Sequence, residues 1–306
     1  MPLDPIVAEI LKQMAEMDMP PMHEMPPANM REFYRAANAE NTRATVASVE
    51  DRNANGVPVR VYRPVLDEVL PCLVFFHGGG WVIGDLETHD NVCRYLALHA
   101  TCVVVAVDYR LAPEHPFPAA LDDCFTATCW VAAQASELGI DVTKIAVGGD
   151  SAGGNLAATV CIKARQNGGP ALVHQLLVYP VTDTALDTVS YIENAEGYSL
   201  SRDLMRVFWD HYIGDQPRDN PMMAPLLAAD LSGVPSATVI TAEFDPLRDE
   251  GEAFGEKLKA AGIATKVKRY DGMIHGFFHM QDALEAGRAA MQLAATELKT
   301  AFQPPS

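Results

Sequence analysis

The sequence predicts an α/β fold in which a mostly parallel sheet is covered by helices on both faces. The first observation is a set of strongly apolar, strand-like segments that alternate with possible helices, as expected for strands buried on both faces. The second is a predicted hairpin before them, which suits an antiparallel edge. The third is one interval, residues 182–235, that is too long for a single crossover and indicates an insertion. The strand-like segments are CLVFF, CVVVAV, KIAVG, LVHQLLVY, SATVIT and ATKVKRY.

The composition is that of a globular protein. The chain has 306 residues, 49% hydrophobic and 21% charged, which is enough to bury a large core. Its formal net charge of −17 argues against nucleic acid and anionic membranes as partners. The six cysteines include no CxxC pair, so neither a zinc site nor a thioredoxin-like site is indicated. The chain shows no secretory signal and no stretch apolar enough to span a membrane, so we expect a cytoplasmic location.

Residues 1–45 are predicted to form the N-terminal helical part of a cap. Asp4 and Pro5 suit a helix start, with a side-chain cap followed by proline at the first helical position. A second short helix is expected at residues 30–40. These helices could pack on the core or form a lid over an apolar pocket. The insertion, taken as residues 182–223, could complete the same cap.

The remaining segments, residues 46–181 and 224–306, are predicted to form the main domain. Its first element is the hairpin, in which ATVASVE and VPVRVYRP flank the turn sequence NANG.

A candidate nucleophile is Ser151, because residues 149–153 read Gly-Asp-Ser-Ala-Gly between a predicted strand and a predicted helix. A nucleophile on such a sharp turn has a strained backbone, so glycines two residues away on either side provide the space it needs. The adjacent helix N-terminus favours developing negative charge. The alternative is a tight strand–helix turn without a chemical role.

Serine needs a base, and in this type of fold an acid and then a histidine follow it along the chain. His275 and His279 are the candidates, because they follow the strand-like segment ATKVKRY. His275 is preferred because it is closer to the end of that strand and Gly276 leaves room around its ring. The pair could instead be metal ligands four residues apart. The glutamate of H-E-x-x-H is absent, however, and no metal is expected.

Four carboxylates follow the strand-like segment SATVIT: Glu243, Asp245, Asp249 and Glu250. Asp245 is preferred because Pro246 disfavours helical geometry there and keeps the side chain at the edge of the sheet. Its role would be to fix the imidazole tautomer and stabilise the imidazolium. Asp249 and Glu250 are expected to be helix caps or surface ion pairs.

The stretch HGGGW has three consecutive glycines after a predicted strand. Acyl transfer develops negative charge on the former carbonyl oxygen, and backbone amides directed at that oxygen stabilise it. Gly78, Gly79 and Ala152 are therefore predicted to be the oxyanion-hole donors, and Trp81 is predicted to line the acyl pocket. Nucleotide binding is disfavoured, because neither glycine cluster matches G-x-G-x-x-G and no G-K-[ST] follows.

With these residues placed, the chain resembles the hormone-sensitive lipase family of microbial esterases, within the α/β-hydrolase fold. The resemblance implies Ser151, Asp245 and His275 as a catalytic triad, with the oxyanion donors named above. It also implies a helical cap, no cofactor, an ester substrate of short to medium acyl chain, and a possible homodimer through the sheet edge. The matching motifs are HGGGW (77–81), DYRLAPEHPFPAALDD (108–123), GDSAGG (149–154), DPLRDE (245–250) and HGF (275–277).

The expected function is a serine carboxylesterase that forms an acyl-enzyme on Ser151. An amidase or peptidase could use the same triad, and the motifs do not decide between them. A non-catalytic small-ligand receptor of the same fold is the other alternative. Receptors that resemble this family have lost the catalytic histidine, whereas His275 is present here.

Overall fold

The computed structural model describes residues 2–17, 19–39 and 43–303. Within this part of the chain, eight strands form one sheet in the order β1-β2-β4-β3-β5-β6-β7-β8. The strands are β1 (Ser48–Ala54), β2 (Val57–Arg63), β3 (Leu70–Phe76), β4 (Val103–Val107), β5 (Ile140–Asp150), β6 (His174–Val178), β7 (Ser236–Phe244) and β8 (Thr265–Ile274).

The helices precede the sheet, alternate with its strands and follow it. They are α1 (Pro5–Glu16), α2 (Pro27–Asn38), α3 (Asp90–Ala100), α4 (Ala119–Ala133), α5 (Ala152–Asn167), α6 (Val189–Glu193), α7 (Arg202–Ile213), α8 (Arg248–Ala260) and α9 (Glu285–Ala301). None of the described helices is both long enough and apolar enough to cross a bilayer.

The predicted hairpin is confirmed at the edge of the sheet. β1 pairs antiparallel with β2, and the register brings Ala54 opposite Val57 across a two-residue turn. Both turn residues, Asn55 and Gly56, have positive φ, as a tight turn between twisted strands requires. β2 is also antiparallel to β4, and all other neighbouring strands are parallel. The sheet is therefore mostly parallel, as predicted.

Two apolar layers cover the sheet, one on each face. Along β3, Val74 and Phe76 face a layer that includes Leu156 of α5. The alternate residue Phe75 faces the other layer, with Met291 of α9. Because side chains alternate across a strand, an uninterrupted apolar run can fill both layers.

Part of the N-terminal segment contacts the insertion, whereas α1 packs against β8. A short 3-10 turn at Met22–Glu24 packs against α7, which lies in the insertion. Arg31 of α2 ties this segment to the main domain, because its guanidinium donates to the carbonyl oxygens of Val82 and Ala112. The second helix begins at Pro27, three residues earlier than predicted, since proline suits the first helical position. Residue 40 lies outside the described residues, and the predicted cap boundaries at 45, 182 and 223 stay predictions.

Candidate active site

Ser151 lies on a sharp turn between β5 and α5. Its φ of 55° and ψ of −118° are unusual for a residue with a side chain, so the backbone is strained at this position. The flanking glycines make the turn possible. A methyl group on either Gly149 or Gly153 would collide with the carbonyl oxygen of Phe76, at the end of the neighbouring strand. The predicted strand–turn–helix context is confirmed.

His275 and Asp245 complete a row of hydrogen bonds that begins at Ser151. The Nε2 atom of His275 lies 3.0 Å from Ser151 Oγ, and its Nδ1 atom lies 2.7 Å from Asp245 Oδ2. Asp245 follows β7 and is fully buried, and its other oxygen accepts the Leu247 amide at 2.9 Å. His275 follows β8, and the ring of Tyr179 packs against it with centroids 4.4 Å apart.

This geometry assigns a tautomer to His275. The Asp245 carboxylate can only accept, so the imidazole proton lies on Nδ1 and the lone pair of Nε2 faces the serine hydroxyl. A histidine held in this way can remove the proton of Ser151 when the hydroxyl attacks an electrophile.

The other carboxylates considered from the sequence have different partners. Glu243 accepts the amide of Gly272, and Asp249 accepts the amide of Ser190 at 2.8 Å. Glu250 is only 1% exposed and accepts the amide of Thr182, so its predicted role as a helix cap or surface ion pair is wrong. Burial raises the pKa of the Glu250 carboxyl well above its usual range.

His279 does not converge with His275 on a common ligand position. Its Nε2 atom lies 3.0 Å from Asp150 Oδ2, whereas His275 faces Asp245. The metal-ligand alternative for this pair is therefore not supported.

The glycine loop after β3 supplies amides near Ser151, but one of them points elsewhere. The Gly78 amide lies 3.0 Å from Asp150 Oδ1, so it is engaged and not free for substrate, contrary to the prediction. The amides of Gly79 and Gly80 donate to no acceptor in the described parts of the chain, and neither does that of Ala152 at the first position of α5. The motif marks residues without side chains, but it does not reveal the direction of each N–H bond.

Trp81 is placed differently from its prediction. It is fully buried, and its ring stacks on Tyr212 of α7 with centroids 4.1 Å apart and planes 3° apart. Because no part of the side chain reaches solvent, the structure gives Trp81 a packing role between the glycine loop and α7 instead of contact with an acyl group. Phe208, one turn before Tyr212, lies directly against Gly80. Sequence reasoning missed Phe208, whose only signal was its place in the apolar pattern of the insertion.

A second polar cluster surrounds Asp150, which the sequence motif predicts to order neighbouring loops, although the motif does not indicate its histidine partners. The carboxylate is 3% exposed and lies 3.2 Å from His89 Nε2, in addition to its contacts with Gly78 and His279. Burial alone would raise the pKa of Asp150, but His89 and His279 outweigh it and hold this pKa well below its usual range. The ligand atoms of the three side chains lie within 4.8 Å of one another, and the short nitrogen–oxygen distances are those of direct hydrogen bonds. The only sequence signal was an aspartate inside the nucleophile motif.

A cleft of about 350 Å³ opens between the N-terminal segment and the insertion. Residues 21–23 line one side of it, and residues 196–199, 201, 203 and 204 line the other. One of these, Ser199, donates its hydroxyl to the carbonyl oxygen of His275 at 2.9 Å. The cleft therefore lies next to the loop that carries the candidate base.

Known proteins are similar to this chain over most of its length. A family model described as the alpha/beta hydrolase fold matches residues 73–279. The carboxylesterase NlhH of Mycobacterium tuberculosis is 46% identical over 251 residues, which are 80% of this chain and 79% of that protein. A solved hyperthermophilic esterase from Pyrobaculum calidifontis has 44% identity and a TM-score of 0.92, covering 98% of this chain and 99% of that one.

A further solved structure, a thermostable esterase from Pseudomonas putida, has 39% identity and a TM-score of 0.94 over 99% of both chains. The names of these relatives identify ester hydrolases and decide against the non-catalytic receptor. This chain belongs to the hormone-sensitive lipase-like family of the α/β-hydrolase fold and is a serine carboxylesterase.

Proposed function

We propose that this carboxylesterase works through an acyl-enzyme on Ser151, with His275 as the general base and Asp245 as the carboxylate that orients it. The observation that carries the proposal is the row of hydrogen bonds from Ser151 Oγ through His275 to Asp245, at 3.0 and 2.7 Å. Nucleophile, base and orienting acid in this order are the elements of covalent acyl transfer.

In the first half of the reaction, Ser151 Oγ attacks the ester carbonyl carbon while its proton passes to His275 Nε2. The tetrahedral intermediate then expels the alcohol, and His275 gives the same proton to the departing oxygen. In the second half, water takes the place of the alcohol. His275 removes a proton from that water, the water oxygen attacks the acyl carbon, and the proton returns to Ser151 Oγ as the carboxylic acid leaves.

Negative charge develops on the carbonyl oxygen in both halves. We assign its stabilisation to the amides of Gly79, Gly80 and Ala152, because these donors have no acceptor in the described residues whereas the Gly78 amide is engaged. Ala152 also begins the 16-residue helix α5, whose N-terminal dipole favours negative charge at this position. Loss of one such donor typically lowers kcat by about 10²- to 10³-fold.

We further propose a preference for short to medium acyl chains. Phe208, Trp81 and Tyr212 fill the space beside the glycine loop with buried aromatic rings. A long, unbranched acyl chain that enters beside Gly80 would have to displace these rings, at a cost in packing energy.

Three predictions from the sequence stay proposals alongside this mechanism. The reaction as written needs no cofactor, because nucleophile, base and oxyanion donors all belong to the chain. A homodimer would use an edge of the sheet, where β8 presents its unpaired side. A cytoplasmic location is the third of these proposals.

Covalent labelling tests the mechanism. A fluorophosphonate should add its phosphonyl group to the peptide that contains Ser151, with loss of fluoride, and intact-mass and peptide-mass measurements would locate it. Ser151→Ala should prevent both labelling and turnover of p-nitrophenyl butyrate, while Ser136→Ala, at an exposed serine, should change neither. Turnover by the Ser151→Ala protein well above the uncatalysed rate would refute the acyl-enzyme.

A further inference from the structure

The carboxylate of Asp150 is buried next to the nucleophile, yet it takes no part in the proposed reaction. It is the last residue of β5, is 3% exposed, and directly precedes Ser151. A buried charge is costly unless several hydrogen bonds compensate it. The groups that supply those hydrogen bonds indicate what this carboxylate does.

The first group belongs to the oxyanion loop. The Gly78 amide lies 3.0 Å from Asp150 Oδ1 and 3.1 Å from His89 Nε2, and the ionised carboxylate is the stronger acceptor of the two. The loop backbone lies directly on Asp150, because a methyl group on Gly78 would collide with the carboxylate and come within 2.9 Å of the Asp150 carbonyl oxygen. Asp150 thus fixes the peptide that precedes the amides of Gly79 and Gly80.

The second group belongs to the loop that carries the base. His279 lies four residues after His275, and its Nε2 atom is 3.0 Å from Asp150 Oδ2. The side chain of His279 is 10% exposed. The two oxygens of one carboxylate therefore bind two different loops, one at each side of Ser151.

The third group is His89, which lies just before α3 and contacts the carboxylate of Asp150. Its Nε2 atom is 3.2 Å from Asp150 Oδ1, and its Nδ1 atom is 2.9 Å from the hydroxyl of Thr88. Burial lowers the pKa of His89, which favours the neutral ring, and in the tautomer protonated on Nε2 this ring donates to Asp150.

We propose that Asp150 is a positioning residue for ester hydrolysis, which holds the oxyanion loop through Gly78 and the His275 loop through His279 at a fixed separation from Ser151. The inference rests on the proposed assignment of Gly79, Gly80 and Ala152 as oxyanion donors. Without the carboxylate, the buried Gly78 amide loses the stronger of its two acceptors, and the loop is no longer held in one position. A displacement of about 1 Å in such a site lowers turnover by about 10²-fold, although no group that contacts substrate has been removed.

The least disruptive test is at His279. Glutamine can place its amide nitrogen close to the position of His279 Nε2, so His279→Gln should lower kcat no more than about threefold, whereas His279→Leu removes the donor and should lower it about tenfold. KM for p-nitrophenyl butyrate should change less than threefold in both variants, because the acyl and alcohol contacts are untouched.

An alkyl trifluoromethyl ketone supplies a second readout. Ser151 Oγ adds to its carbonyl carbon, the serine proton passes to His275, and the resulting oxyanion occupies the oxyanion hole. For His279→Leu and for Asp150→Ala, the inhibition constant should rise by the same factor as kcat/KM falls. That factor should be about tenfold for the first variant and about 10²-fold for the second. A purely structural role would lower the unfolding temperature and leave this constant unchanged.

The outcomes are separable from those of the proposed mechanism. If Ser151→Ala is inactive and His279→Leu keeps both kcat and the ketone inhibition constant within threefold of the parent, the positioning role is refuted and the acyl-enzyme stands. If Ser151→Ala is active, the mechanism itself fails. Near-UV circular dichroism of Asp150→Ala shows whether that variant folds, and His279→Leu decides the question if it does not.

Discussion

The ring of Phe208 lies against Gly80, so that a methyl group on this glycine would collide with it. Phe208 belongs to α7 in the insertion, whereas Gly80 belongs to the loop after β3. The insertion and the proposed oxyanion hole are thus in direct contact through this ring.

Replacement of this ring should change the choice of acyl chain. Phe208→Ala removes a side chain that is 4% exposed, and the space opened beside Gly80 should raise the ratio of kcat/KM for octanoate over butyrate esters about tenfold. The same change should lower the free energy of unfolding by about 3–5 kcal/mol. Val207→Ala, one residue earlier on α7, removes apolar packing without opening this space and should leave the ratio unchanged. If the octanoate-to-butyrate ratio were unchanged in Phe208→Ala as well, the acyl chain would not bind beside Gly80.

The pairing of Asp245 with His275 predicts the effect of a neutral isostere. Asp245→Asn keeps the size of the side chain but can present an N–H group to Nδ1, which stabilises the tautomer that cannot accept the serine proton. We expect kcat to fall by about 10²- to 10⁴-fold in steady-state assays with p-nitrophenyl butyrate. The matched control is Asp249→Asn, four residues later, which should stay within about threefold of the parent. Equal losses in the two variants would contradict the assignment of Asp245.

Glu250 should make the protein less stable as the pH rises. Its pKa in the folded chain is raised by burial above its ordinary value of 4.5, so the carboxyl contributes its full stability below about that pH and loses it as the pH increases toward the folded value. Glu250→Gln stays neutral and can still accept the amides of Thr182 and Asp183. The unfolding temperature of the variant minus that of the parent should therefore increase from pH 5 to pH 8. Glu256→Gln, exposed on the same helix, should give a difference that does not change with pH.

His174 should make the protein less stable as the pH falls. Its ring is buried at the start of β6 between the hydroxyls of Ser236 and Thr238, and burial lowers its pKa from 6.5 to about 4. Protonation then favours the unfolded chain, so stability is retained above about pH 6.5 and falls by about 3 kcal/mol as the pH decreases to about 4. His174→Gln should flatten this part of the urea-unfolding profile relative to the parent. The control is His115→Gln, at an exposed histidine. If it flattened the profile equally, the loss of stability at low pH would not arise from the burial of His174.

The sheet and the nucleophile turn were predictable because their signals are local. Apolar runs such as the one in β3 have few alternatives to a strand buried on both faces, and Ser151 needs glycines at fixed positions around it. The strand limits were less predictable. β8 continues to Ile274 past Asp271 and Gly272, because Gly272 adopts a φ of 77° and its amide donates to Glu243.

The directions of backbone amides were not predictable from the same motifs. Gly78 and Gly79 are identical in the sequence, and only the position of the Asp150 carboxylate, set by the end of β5, determines which of their amides is engaged. Similarly, the burial of Trp81 depends on Tyr212, more than a hundred residues later, whose ring covers it. Contacts between distant segments decided both cases.

The distance along the chain between Ser151 and His275, 124 residues, has a practical consequence. In the sheet, β6, β7 and β8 follow β5 side by side, so the hydroxyl and the imidazole meet only when all three strands are in place. A nascent chain that is still short of its last strand cannot turn over an ester, however well its first half is organised. In a refolding experiment, the appearance of yellow nitrophenolate would therefore report the time at which the final third of the polypeptide has folded.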